Sequence, residues 1–164
     1  MKTKRKRTTG RAVRPDAAGL RERRKARRLP DDACPTCATI MRPRRGTLSL
    51  PVNGEPMQVP DVPHLHCPAC GENVLTMEQA GILEAGALAL YRSRHHLLTS
   101  DEIRAMRERL GLTQAALAKL LRLGANTLSR WEAGRKVQTA ALDVLLRLLR
   151  DVPGSMAYLK RHAA

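Results

Sequence analysis

Four cysteines stand in two pairs, Cys34-Pro35-Thr36-Cys37 and Cys67-Pro68-Ala69-Cys70, with twenty-nine residues between them. A Cys-x-x-Cys turn sets two thiolates on one side of the chain, and two such turns make a tetrahedral four-sulfur site for Zn2+. The proline after each first cysteine and Gly71 after the last favour tight turns. Four protein ligands leave no position for water, so one structural Zn2+ per chain is expected rather than a catalytic one. A pair of redox dithiols is the competing reading. It is weaker, because a thioredoxin-type motif needs a single Cys-x-x-Cys in a βαβ setting and cytosolic disulfides are rare. His64 and His66 precede the second pair and offer alternative ligands, although histidines so placed are more often surface residues.

A second chemistry is spelled out between Asn126 and Glu132. Helical spacing puts Leu128 and Trp131 on one face and Asn126, Thr127, Ser129 and Arg130 on the other. An asparagine amide matches adenine with two hydrogen bonds and an arginine guanidinium matches guanine, both from the start of a helix in the major groove. A merely solvated face would more often carry Glu and Lys. With Thr113, Gln114 and Arg135, these residues form the candidate DNA-binding set. Trp131 reads as core, and Glu132 as an internal ion-pair partner, because a carboxylate beside phosphates is repelled.

The elements that must position these groups follow from patterning. The loop between the cysteine pairs is longer than that of a simple zinc ribbon, so something folds inside it. Leu48, Leu50 and Val52 alternate with polar or small residues, Asn53-Gly54 suits a tight turn, and Met57 and Val59 follow, which spells a β-hairpin. Pro51 and Pro56 argue for short edge strands. Thr76 to Gln79 is a capping box opening a helix to about His95, with Ile82, Leu83, Ala87, Leu90 and Tyr91 on its apolar face. Gly81 and Gly86 should each weaken this connecting helix by roughly 1 kcal/mol.

Thr99 to Glu102 opens the next helix, which carries Ile103, Met106 and Leu110 and closes at Gly111. Thr113 caps another, with Leu112 and Leu117 as a staple and Leu117, Leu120 and Leu121 buried; Gly124 makes a short turn into a helix starting near Asn126. These are the parts of a helix-turn-helix. Leu142, Leu145, Leu146 and Leu149 give a further helix, and Pro153 opens a last one with Met156 and Leu159. That much leucine suggests a dimer seam. The fold class expected is α+β in two domains, a small zinc-binding β-hairpin module with four cysteine ligands followed by an all-α helix-turn-helix domain. The boundaries are 1–30 a disordered basic arm, 31–75 the zinc-binding domain, 76–98 the connecting helix and linker, and 99–164 the DNA-binding and dimerisation domain.

Composition sets the bounds. The 164 residues carry a formal charge of +15, with 43% hydrophobic and 2% aromatic content and no Phe, so the core must be Leu/Ala/Val packing. Residues 1–30 hold thirteen Lys/Arg and two acids, so most of the excess charge sits in that arm. Both a solvated tail and a non-specific arm on phosphates fit it. No apolar stretch is long enough to span a membrane and the basic start lacks a signal-peptide core, so a soluble cytoplasmic protein is expected. No nucleophile–base pair or phosphate-binding glycine loop appears, so an enzyme is not expected.

Leu112-Thr113-Gln114-Ala115-Ala116-Leu117-Ala118 with Asn126-Thr127-Leu128-Ser129-Arg130-Trp131-Glu132-Ala133-Gly134 resembles the Cro/C1-type (XRE) helix-turn-helix. Preceded by Cys-Pro-x-Cys and Cys-Pro-x-Cys-Gly-Glu, it resembles the MqsA family of antitoxins with their YgiT-type zinc finger, from about Cys34 to Leu159. The resemblance implies a type II toxin–antitoxin role. A zinc domain neutralises a cognate mRNA-cleaving toxin, and a homodimeric C-terminal domain binds a palindromic operator in double-stranded DNA and represses its own operon. It also implies base contacts at Asn126 and Arg130. A zinc-ribbon regulator with no toxin partner is the alternative.

Overall fold

A computed structural model describes residues 30–162; the basic segment 1–29, to which the arm reading applies, lies outside the described residues. The chain forms β1 (Arg42–Val52), β2 (Glu55–His66) and β3 (Asn73–Val74), then α1 (Met77–Arg94), α2 (Ser100–Arg109), α3 (Gln114–Leu120), α4 (Thr127–Glu132), α5 (Ala140–Asp151) and α6 (Ser155–His162). The result is an antiparallel sheet in the order β1-β2-β3 with a cysteine cluster at its base, followed by a helical unit.

The hairpin turns at Asn53 and Gly54, both at positive φ (50° and 88°), as a two-residue turn of the primed type demands. Its strands are eleven and twelve residues long, not short edges. The reason lies in the register. Val52 pairs with Glu55 next to the turn, so the following pair, Pro51 with Pro56, is one whose N–H groups point out of the ladder. Two prolines facing each other there cost no ladder bond. β1 is an edge, and β2 is covered on its far side only where Leu65 and His66 meet β3, which leaves room for Pro43, Pro60 and Pro63.

A bulge between Gly46 and Leu48 resets the side-chain alternation of β2, with Asp61 at φ 55°. Beyond it Val62 and His64 join Met57 and Val59 on the buried side, a continuation that simple alternation does not reveal.

Helix α1 opens with the expected capping box between Thr76 and Gln79. Its buried face is Leu83, Ala87 and Leu88 with Tyr91 alongside, and it lies on the hairpin core of Val52, Met57, Val59 and Val62. Ile82 and Leu90, expected on that face, are 46% and 39% exposed. Gly86 also has another meaning than a weak helix position. A Cβ there would stand 2.6 Å from Val59 Cγ1, so the missing side chain is what lets the helix approach the strand.

The helical unit buries Leu98, Ile103, Met106, Leu117, Ala118, Leu128, Trp131, Leu146 and Leu149 in a second core. Helices α1 to α4 all end the same way. At each, two backbone N–H groups fold back onto the last turn, for example Leu112 onto Arg107 and Gly111 onto Glu108. The left-handed residue is Gly111 and Gly134 at two of these ends, but His96 (φ 51°) and Arg122 (φ 54°) at the others. Arg122, rather than Gly124, therefore turns the chain between α3 and α4. Pro153 sits in the turn before α6, which starts at Ser155.

Gly86→Ala tests the α1–β2 contact. Helix propensity alone favours alanine by about 1 kcal/mol, whereas overpacking against Val59 costs about 1–3 kcal/mol. Net destabilisation in a denaturant titration is expected; a gain in stability contradicts the close approach.

Candidate functional site

The two cysteine turns are built alike. In the first, Cys34 N–H donates to Thr39 O (2.8 Å) and Ala38 N–H donates to Cys34 O (2.9 Å); in the second, Cys67 N–H donates to Glu72 O (2.8 Å) and Gly71 N–H donates to Cys67 O (3.0 Å). Each turn reverses at a left-handed residue directly after its second cysteine, Ala38 (φ 59°) and Gly71 (φ 79°). Alanine pays a steric penalty in that conformation, so the first turn holds a strain that the second avoids. Strand β3 and the bridge between Ala33 and Ile40 fasten the two turns to the base of the hairpin.

The four sulfurs lie within 4.8 Å of one another. Cys34 and Cys70 are 3.5 Å apart, Cys37 and Cys67 3.4 Å, and Cys37 and Cys70 3.6 Å. None is in a disulfide. A tetrahedral zinc with Zn–S of about 2.3 Å sets its sulfurs roughly 3.8 Å apart, so the donor set fits in number, type and separation. Cys34 and Cys67 are buried, Cys37 and Cys70 exposed. The Thr39 hydroxyl, then the Thr39 backbone and Cys67, pull the Cys37 thiol down to about 6. At Cys70 the Glu72 backbone also pulls downward, but the crowding of Cys34, Cys67 and Cys37, together with desolvation, outweighs it and pushes the thiol up to about 12. The two exposed thiols are thus pulled in opposite directions by the hydrogen bonds around them.

The histidines stand apart from this cluster. His64 is buried rather than on the surface, with Nδ1 2.9 Å from Val62 O. His66 Nδ1 lies 2.8 Å from Asn73 Oδ1 across the β2–β3 pair.

The polar helix face is positioned by a buried ion-pair network. Glu132, with a side chain 1% exposed, accepts from Arg107 Nε (2.6 Å) and Nη2 (2.9 Å) and from Gln114 Nε2 (2.8 Å). Arg104 Nη2 donates to Glu132 O (2.9 Å) and Arg107 Nη1 to Leu112 O (2.9 Å). One carboxylate thus joins α2, the start of α3 and the end of α4, with Trp131 and Leu128 buried beneath. Burial alone would raise the Glu132 pKa; the bonds from Arg107 and Gln114 and the charges of Arg107 and Arg104 overcome it and hold it below 4.5.

The candidate contact residues lie on and around α3 and α4. Asn126 is the exposed N-cap of α4, and its side chain makes no capping bond. Arg130 is exposed one turn on, while Thr127 and Ser129 are half-buried, with Ser129 Oγ donating to Asn126 O (3.1 Å). Arg135 is exposed just past the helix. Thr113 caps α3 by accepting from Ala116 N–H (3.1 Å). Gln114 commits one N–H of its Nε2 to Glu132, which leaves its second N–H and its carbonyl oxygen for other partners.

Two polar groups carried no sequence signal. Asp143 is buried at the start of α5, accepting from Leu98 N–H (2.7 Å), Gln138 Nε2 (3.0 Å) and Arg147 Nε (2.7 Å). Arg92 is only 6% exposed and reaches across to the segment after α4. Their types suit solvent as well as burial, and only the tertiary fold distinguishes the two.

Comparison with known proteins meets this geometry from outside. The profile of a family described as the antitoxin component of a bacterial toxin-antitoxin system, MqsA, matches residues 32–160. The chain belongs to the MqsA antitoxin family. That stretch takes in both cysteine turns, the sheet and the helices α1 to α5. The chain is also 27% identical over 88 residues to Antitoxin HigA-2 of Vibrio cholerae serotype O1, an alignment spanning 54% of this chain and 77% of that protein.

The two buried carboxylates set a pH dependence. Burial opposes ionisation of Asp143 too, but the bonds from Arg147, Leu98 and Gln138 hold its pKa below 3.8. A depressed carboxylate binds fewer protons folded than unfolded, so its stabilisation is full above the unfolded value and lost as pH falls through the folded one. With a chelator present, so that acid release of metal adds nothing, the Trp131 fluorescence transition should therefore hold its midpoint from neutrality to about pH 5 and collapse below about pH 4. Glu132→Gln should cost about 2–3 kcal/mol at pH 7 and flatten the acid limb. An unchanged acid limb in that variant contradicts the network.

Proposed function

We propose that this MqsA-family antitoxin holds a structural Zn2+ on Cys34, Cys37, Cys67 and Cys70 and uses the resulting module to neutralise a cognate mRNA-cleaving toxin. Its helical unit acts as a helix-turn-helix that reads double-stranded DNA and represses its own operon. The observation that carries the DNA half is the outward presentation of Asn126 and Arg130 from α4, with Glu132 anchoring the helix from behind. α4 enters the major groove, Asn126 meets adenine and Arg130 guanine, Thr127 and Ser129 flank them, and Thr113, Gln114 and Arg135 meet the backbone. The protein acts by binding rather than catalysis. Among the described residues no helix is long and apolar enough to cross a membrane, in keeping with action in the bacterial cytoplasm and on the nucleoid.

A single recognition helix reads too few base pairs for an operator, so the reading includes a two-fold dimer with recognition helices about 34 Å apart on a palindrome. The seam expected on the helix of Leu142, Leu145 and Leu146 together with the last helix keeps those elements but needs other residues on the first. Leu146 is fully buried in the helical core and Leu142 packs against it. The outward apolar stripe is Val144, Leu148 and Val152 on and after α5 with Tyr158 on α6, between 47% and 61% exposed, and it is the surface proposed for the second copy.

The test is growth after induction of each neighbouring reading frame, with and without this chain. One neighbour should arrest growth and co-expression should restore it. Arg130→Ala should preserve that rescue while weakening operator binding by about 1–3 kcal/mol and relaxing preference at one base pair per half-site. If no neighbour is toxic, the toxin half fails; an unchanged footprint for the variant removes Arg130 from the base contacts.

A further inference from the structure

Adjacent residues in the link between the two halves enter different cores: Leu97 packs with the hairpin and α1, whereas Leu98 is fully buried in the helical unit. The link itself is gripped by side chains. Arg147 Nη2 donates to His96 O (2.6 Å), Leu98 N–H donates to Asp143 (2.7 Å), and Gln138 Nε2 donates to Leu98 O (2.8 Å). A second connection runs beside it. Arg92 on α1 donates through Nη2 to Lys136 O (2.6 Å) and, more weakly, to Trp131 O (3.4 Å). Val137, from the same segment after α4, is buried not among the helices but in the hairpin core with Met57, Val59 and Leu83. A guanidinium 6% exposed loses solvation on both sides of this contact, and only the carbonyls of the helical unit offset that loss.

We propose that Arg92 and Val137 join the two modules into one cooperative unit, so that the state of the four-cysteine centre is felt in the loop 133–138 behind the polar helix. That loop carries Arg135 and Lys136, and its path is set by two residues that belong energetically to the other half of the molecule. An independent zinc module would leave the helical unit indifferent to metal. This structure gives the helical unit a stake in it. The inference depends on neither toxin nor operator, only on metal binding at the cysteines.

The sole tryptophan makes the test direct, because Trp131 lies in the helical core. The full-length chain loaded with Zn2+ is heated while Trp131 fluorescence and metal release to a chromogenic indicator are followed together. Both transitions should coincide within about 2 °C, as one cooperative unit requires. Stripping the metal with a chelator should lower the Trp131 midpoint by about 5 °C or more. Arg92→Met keeps the apolar stem but removes the donors, and Val137→Ser empties the hairpin core of its visitor. Each should separate the two transitions and cut the metal-dependent shift by about half or more. If one variant does not fold, the other decides. A Trp131 midpoint unmoved by metal removal, or a shift in the variants as large as in the unaltered chain, overturns the proposal.

Discussion

Four cysteine sulfurs converge within 4.8 Å; as thiolates they would repel one another, and only a cation at their centre would reverse the sign of that interaction. On the proposed Zn2+ reading, the N-terminal half depends on that reversal. Besides the cysteines, its cluster at the sheet base buries little more than Met41, with Leu65 and Val74 alongside, and β3 is two residues long. Hydrophobic burial on that scale does not hold two turns and a strand end together, whereas structural zinc in small modules contributes on the order of 10 kcal/mol. The proposed metal would close the base, while the Asn53-Gly54 turn and the bulge at Gly46/Leu48 set the register that presents Val52, Met57, Val59 and Val62 to α1.

The helical half solves a different problem with buried charge. Glu132 and Asp143 are the carboxylates around which helices are organised, each satisfied by an arginine and by an amide. Such networks add specificity of arrangement more than raw stability, since a greasy replacement often does as well energetically. Here the arrangement is the point. Glu132 fixes the angle between α3 and α4, and Asp143 fixes the path of the link at Leu98. For the proposed reading of bases, the polar face of α4 would have to be held firmly in place, and the network at Glu132 holds the helix from behind.

Much of this was legible in the sequence because it rests on short-range rules. The paired cysteine spacing, the Asn53-Gly54 turn, the two capping boxes at Thr76 and Thr99, and the core roles of Trp131 and Glu132 all follow from local chemistry. What escaped was tertiary. Strand lengths were misjudged because the cost of Pro51 and Pro56 depends on which ladder position they occupy. Alternation failed beyond Val59 because a bulge at Asp61 changes parity. Gly86 is a weak helix position by propensity alone, and only Val59 beneath it gives the missing side chain its role. Arg122 and His96 occupy left-handed positions that sequence rules reserve for glycine. Arg92 and Val137 gave no sign at all, since a lone arginine on a helix and a valine in a loop are common on any surface.

The most direct test of the account is a metal and thiol count on the freshly purified full-length chain. Elemental analysis should find one equivalent of zinc per chain, with all four thiols unreactive toward a thiol reagent until a chelator is added and all four titratable afterwards. Metal-free chain with freely reactive thiols, or chain whose cysteines are consumed in disulfides, would contradict the proposed cation at the four-cysteine centre and the coupling inferred from it.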